Sequence, residues 1–246
     1  MNFENLIDKI INSWKINLNI INILIVWSYV DSDNFNDIDF LITYTGSYNT
    51  FIESMSFLWK LYILDDSIRF NYLWKEVSFV FKEEVEFNNY INKIHNWDIN
   101  ERINKEWAIW WYVPEILLYD LVNSKILLNK NNYLLELINK LKDFDNFNSS
   151  KIEKLLLNEI KIKLNYFELW LDNISNQICT SDLILSIIRF IYIRNKLYFP
   201  WLKKCFLDRS ILLLNEDSRN ILFMIKSNNI DIRKVCNNLI KWANVK

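Results

Sequence analysis

Glycine is nearly missing: the 246 residues contain one, Gly46, and only two prolines. Walker loops, dinucleotide-binding fingerprints and other phosphate cradles built from several glycines are therefore excluded. Histidine occurs once, as His95, which removes His-rich zinc sites and argues against a Ser-His-Asp triad. Alanine occurs twice, Ala108 and Ala243, in a chain rich in Asn, Ile and Lys. That bias reads as the base composition of an AT-rich genome, and it weakens propensity arguments. Three widely spaced cysteines, Cys179, Cys205 and Cys236, form no CxxC pair and no disulfide framework. Free buried thiols in a reducing compartment are expected. An excess of either charge is also lacking. The net charge is −1 and the pI about 6.0, so bulk attraction to nucleic acid has no basis.

What is present is apolar and aromatic. Hydrophobic residues make up 51%, charged residues 24% and aromatics 16%, with eleven tryptophans. That balance fits a well-filled core in one large domain or two modest ones. Residues 1–15 carry acids and no apolar h-region, so no leader is expected. Residues 16–30 are broken by asparagines, and 182–199 by Arg189, Arg194 and Lys196. Neither reads as a membrane span, and a cytoplasmic protein without membrane contact is expected.

Periodicity predicts an α+β chain: a mixed sheet with flanking helices, then an all-helical region. Helical spacing appears in 4–14, and short β-branched runs predict strands over 20–26 and 37–44, the second ended by a turn at Gly46. A helix over 50–61, strands over 67–72 and 75–81, and a helix over 83–94 follow. One or two last strands are expected over 107–112 and 115–119, broken by Pro114. Helices are then expected over 130–143, 150–178, 181–197, 201–214, 216–228 and 230–243, with Ser149-Ser150 and Thr180-Ser181 as N-caps. The expected division is 1–120 and 121–246. Charge follows a similar line. Residues 1–105 hold nine basic and fifteen acidic residues, the remainder twenty and fifteen. An acidic α/β half and a basic helical half suit a site for metal and polyphosphate.

Asp37 and Asp39 share a strand with one residue between them, so alternation sends both carboxylates to one face while Ile38 and Phe40 enter the core. Neighbouring carboxylates repel unless a cation lies between them, and such hard oxygen ligands suit magnesium. A third acid is expected from a nearby strand. Glu76 qualifies, on the face of its strand opposite Val77, Phe79 and Phe81.

These residues carry a resemblance. A strand, Ser28, then Asp33-Asn34-Phe35-Asn36-Asp37-Ile38-Asp39-Phe40 resembles the signature of the nucleotidyltransferase superfamily related to DNA polymerase beta. It is most similar to the small-molecule branch, the aminoglycoside and lincosamide nucleotidyltransferases. The run from Glu76 to Glu86, the segment Leu117-Leu118-Tyr119-Asp120 and the "N…YFP…K" pattern of Asn195 to Lys203 are similar to further family segments. One departure stands out: Trp27 occupies the place of the glycine that normally precedes the serine.

The resemblance implies transfer of a nucleoside monophosphate from a triphosphate, with ATP the expected nucleotide, to a hydroxyl of a small acceptor. Asp37, Asp39 and Glu76 would hold two magnesium ions, and Ser28 would touch the phosphates. Lys203, Lys196 and Arg194 are the candidates for charge on the leaving pyrophosphate, Lys203 foremost, whereas Lys204 is expected to be solvated. Glu115 and Asp120 are both open as the base. Trp107, Trp110 and Trp111 read first as core residues, with Trp110, Trp111 and Tyr119 placed to pack against an acceptor pocket, and His95 is expected at the surface or a helix end. No nucleic-acid partner is expected, and a homo-oligomer is left open. Two rivals remain: a catalytically degenerate binding or interaction module, favoured by Trp27, and a toxin–antitoxin or protein-modifying nucleotidyltransferase.

Overall fold

The computed structural model describes residues 19–26, 37–46, 62–64, 67–72, 75–96, 114–144, 149–169, 173–200, 202–227 and 230–244. Strands β1 (Asn19–Val26), β2 (Asp37–Thr45), β3 (Tyr62–Leu64), β4 (Ser67–Tyr72) and β5 (Lys75–Glu83) lead into helix α1 (Glu84–His95). Helix α2 (Pro114–Val122), strand β6 (Lys125–Asn129) and helix α3 (Tyr133–Lys142) come next. The expected helices over 4–14 and 50–61 lie outside the described residues.

The six strands form one sheet in the order β3-β4-β5-β2-β1-β6. Among the described strands only β2 and β5 pair in parallel, and the other pairings are antiparallel. The sheet is mixed, as expected. β1 lies inside it, and Ile20 to Val26 are all buried, which is why that strand is apolar on both faces. Its one polar interior residue, Asn22, donates from Nδ2 to Thr43 Oγ1 of β2 at 2.8 Å. On β2, Ile38, Phe40 and Ile42 are fully buried, and Phe40 stacks on Phe79 of β5 with ring centroids 5.0 Å apart. Gly46 follows β2 with φ 115°, a conformation open to glycine and strained for other residues.

Two sequence expectations fail here. The stretch 115–119 is not a strand but part of α2, with Pro114 at its first position. A short apolar run cannot be assigned by periodicity alone, and the fixed φ of proline suits the first helical turn. The sheet also continues beyond residue 120: β6 pairs antiparallel with β1, and β3, equally unforeseen, pairs with β4. α3 then buries Leu134, Leu137, Ile138 and Leu141, the i, i+3, i+4, i+7 stripe of a surface helix.

The rest is helical: α4 (Ser149–Leu169), α5 (Asn173–Arg194), a 3-10 turn (Leu202–Lys204), α6 (Asp208–Leu212), α7 (Glu216–Lys226) and α8 (Ile232–Ala243). The helix expected over 150–178 is instead split between α4 and α5, and the one expected over 201–214 is a 3-10 turn followed by α6. Thr180 and Ser181 lie inside α5 instead of capping it, and Ser181 Oγ donates back to Gln177 O at 2.9 Å, an intrahelical alternative to capping. Genuine caps are Asn215, which accepts from Ser218 N, and Asp231, which accepts from Lys234 N. The stretch Ile174–Arg194 is long and apolar enough to cross a membrane, but residues 185–193 are all buried within the protein, as in a core helix.

The chain divides into two compact units, Met1–Lys93 with Asp120–Lys142 and Ile94–Tyr119 with Asp143–Lys246. A cut at 120 differs from this, because β6 and α3 belong with the sheet. The first unit is built on the mixed sheet, and the described part of the second is helical.

Candidate active site

The site is assembled by strand register. In the parallel β2–β5 pair, Asp37 lies opposite Glu76 and Asp39 opposite Ser78. In the antiparallel β4–β5 pair, Asn71 lies opposite Glu76 and Arg69 opposite Ser78. Laterally paired positions share a face. Positions 37, 39, 76, 78, 69 and 71 therefore form two adjoining polar rows on one face of three neighbouring strands. Ile38, Phe40, Val77, Phe79 and Ile68 occupy the opposite face and are buried, so the core fixes which way the polar rows lie. Asp39 is half-buried, Ser78 buried and Glu76 exposed. The pairing that brings positions 37 and 76 together could not be read from a sequence that offers no register.

Arg69 is the residue that sequence reasoning missed. Its Nη1 lies 3.6 Å from Glu76 Oε1, with both side chains about half exposed, while its Nε is buried and has no hydrogen-bond partner among the described residues. The signal was available: Ser67 to Tyr72 and Lys75 to Phe81 were both recognisable strands, and alternation sets Arg69 and Asn71 against Ile68.

Donor chemistry is compatible with magnesium, which takes carboxylate oxygens and keeps open positions for water or phosphate. Glu76 and Asp39 are accessible oxygen donors of that class on neighbouring strands. Among the described residues no group of three His, Cys, Asp or Glu side chains forms a metal cluster; the Asp37 side chain lies outside them. Ser28, Trp27, Trp107, Trp110 and Trp111 lie outside them as well, as does the Lys203 side chain.

The remaining candidates lie on or beside helices. Glu115 is fully buried, and its Oε1 accepts from Arg189 Nη2 at 2.7 Å and Nε at 3.2 Å. It is the ion-pair partner of Arg189 on α5. Asp120 lies further along α2, buried. Arg194 is held by Glu153 at 3.1 Å and packs over the Trp242 ring at 5.2 Å, which fits a structural cation. Lys204, expected in solvent, is instead buried, with Nζ 5.4 Å from the centre of the Tyr119 ring. Cation–π attraction and a covered stem explain how the charge is tolerated there.

Lys196 is exposed at the end of α5 with φ 58°. Lys196 N bonds to Ile193 O and Leu197 N to Tyr192 O, at 3.0 Å each, the two bonds of a Schellman motif. Asn195, Tyr198 and Phe199 of the "N…YFP…K" segment make packing and hydrogen-bonding contacts. Asn195 Nδ2 donates to Ser218 Oγ at 2.7 Å, and its Oδ1 accepts from Asn215 N at 2.9 Å. Tyr198 packs on Phe144, and Phe199 meets Tyr192 edge-on.

His95 ends α1, as expected for a helix-end residue, but it is buried. The three cysteines are free and buried, as predicted. Burial pushes the Cys236 thiol up to about 12 and raises Cys205 as well, so neither is a ready nucleophile.

No model of a protein family matches the sequence, and no curated protein does. Among solved structures, the chain is similar to a nucleotidyltransferase-like protein from Exiguobacterium sibiricum 255-15. Sequence identity is 11%, the match covers 98% of this chain and 73% of that one, and the TM-score is 0.44.

Proposed function

We propose that this chain is a magnesium-dependent nucleotidyltransferase that moves a nucleoside monophosphate from a triphosphate, ATP first, to a hydroxyl of a small molecule. The observation that carries this reading is the β2–β5 register, which sets Asp37 opposite Glu76 with Asp39 one row along. Bound magnesium would supply Lewis acidity at the attacking hydroxyl and charge neutralisation at the leaving pyrophosphate. Asp37, Asp39 and Glu76 are the residues that would hold it. Asp39 suits the task because β2 is an interior strand, so its backbone position is set by neighbours on both sides. Ser28 is the proposed phosphate contact, with Lys203 and Lys196 as the basic residues for the pyrophosphate. Asp120 remains the candidate base, since Glu115 is bound to Arg189.

The alternative is a nucleotidyltransferase fold that binds without turnover. Trp27 favours it, because an indole in the glycine position would crowd the phosphate approach. Labelled triphosphates, magnesium and a panel of hydroxylated small molecules separate the two. Pyrophosphate release that disappears in Asp37→Ala/Asp39→Ala is the expected result, with affinity for manganese plus a non-hydrolysable triphosphate falling about tenfold or more in Asp39→Asn. Absence of nucleotide binding in both the wild type and Trp27→Gly overturns the transferase reading and leaves the interaction module.

A further inference from the structure

We infer that Arg69 is a built-in cation of the acidic site, a positioning residue for Glu76 that turns to the polyphosphate when metal arrives. The inference rests on the nucleotidyltransferase reading and assigns that site a binding residue from β4. Arg69 and Glu76 form a diagonal pair across the β4–β5 ladder, since Arg69 lies opposite Ser78 and Glu76 two residues before it. Adjacent strands are about 4.8 Å apart, so Asp39 is two strand spacings from Arg69, within the span of a guanidinium and a bridging phosphate. The 3.6 Å approach of Nη1 to Glu76 is an ion pair too long for a hydrogen bond. Nε is buried and donates to nothing among the described residues. A guanidinium has five N–H donors in a fixed fork, suited to phosphate oxygens. Here that fork lies beside the Glu76 carboxylate.

Charge explains the sequence of contacts. With no metal bound, Arg69 offsets the charge of Glu76. On metal binding Glu76 would exchange Arg69 for the ion, and Arg69 would be released to donate to phosphate oxygens of the nucleotide. Arg69 thus opposes the bare ion and favours the ion carrying triphosphate, a preference that keeps the site from filling with metal alone.

Calorimetry on the full chain tests this with two probes, manganese alone and manganese with a non-hydrolysable nucleoside triphosphate. In Arg69→Gln the affinity for manganese alone should rise by a few-fold, while that for the nucleotide at saturating manganese should fall about tenfold or more. Arg69→Lys, which keeps the charge and loses the fork, should fall between. A thermal unfolding midpoint close to wild type establishes that each variant is folded, and an unfolded Gln variant transfers the test to the Lys variant. Loss of both affinities, or no change in nucleotide affinity, overturns the role of Arg69. Failure of the underlying reading has a different signature: Asp39→Asn binds manganese-nucleotide as well as wild type, or wild type binds none, and the inference then falls with it.

Discussion

Lys196 carries a conformation that its side chain does not favour. A left-handed residue at the C′ position of a Schellman motif is usually glycine, because a Cβ meets the following carbonyl. Here the chain has spent its single glycine at Gly46. Lys196→Gly should therefore raise stability by about 1 kcal/mol, read as a higher urea midpoint at unchanged m-value. If Lys196 also meets pyrophosphate, the same substitution lowers nucleotide affinity, so the two readouts move in opposite directions. Glu115 and Arg189 show the reverse relation between type and place. Glu115 looked like a base because it is acidic and lies beside the boundary drawn at 120. Burial and the Arg189 contact make it a buried ion pair, and removing one partner of such a pair leaves an uncompensated charge.

At the scale of elements, α4 and α5 are joined by a polar cluster. Lys163 Nζ bonds to Glu159 in its own helix and reaches Asp182 Oδ2 at 2.7 Å and Ser186 Oγ at 2.9 Å in α5. Ser186 Oγ donates to Glu159 Oε1 at 2.9 Å. Burial alone would raise the Glu159 carboxyl, but the Lys163 hydrogen bond and charge, helped by Arg189 and Ser186, outweigh it and hold the group below its ordinary value. A carboxylate depressed in the folded state stabilises fully above its unfolded pKa and loses that contribution as pH falls through the folded one. The stability gap between wild type and Glu159→Gln, measured by urea unfolding, should be constant near neutrality and narrow below pH 4.5. A gap that widens on acidification would reverse the sign of the argument. The same helices show how element boundaries were misread: an apolar α5 core, Leu183 to Ile193, carries little amphipathic contrast, and Thr180-Ser181 imitates a cap in its interior.

For the whole molecule, the two units are interleaved in sequence. A fragment ending at 120 loses β6, and β1 becomes an edge whose Asn22 to Ile25 backbone is unpaired on that side. A long apolar edge of this kind invites aggregation. Fragment 1–120 should accordingly elute as aggregates in size-exclusion chromatography, whereas 1–142, which restores β6 and α3, should show less of it. Equal behaviour of the two would mean that β6 contributes little to the sheet.

By itself the sequence determined the class of the fold, because the β-branched runs Ile20 to Val26 and Val77 to Phe81 and the helical stripes of α1, α3 and α8 are local patterns. It determined equally that Asp37 and Asp39 share a face, since alternation along one strand requires no partner. Tertiary structure alone decided that Asp37 lies opposite Glu76 and that Arg69 joins the same rows, because register is a relation between strands distant in the chain. It also decided that Glu115 and Lys204 are enclosed while Lys196 is exposed. Burial of a charge depends on the rings and counter-ions that packing brings to it, and a charged side chain gives no sign of them in its own stretch of sequence.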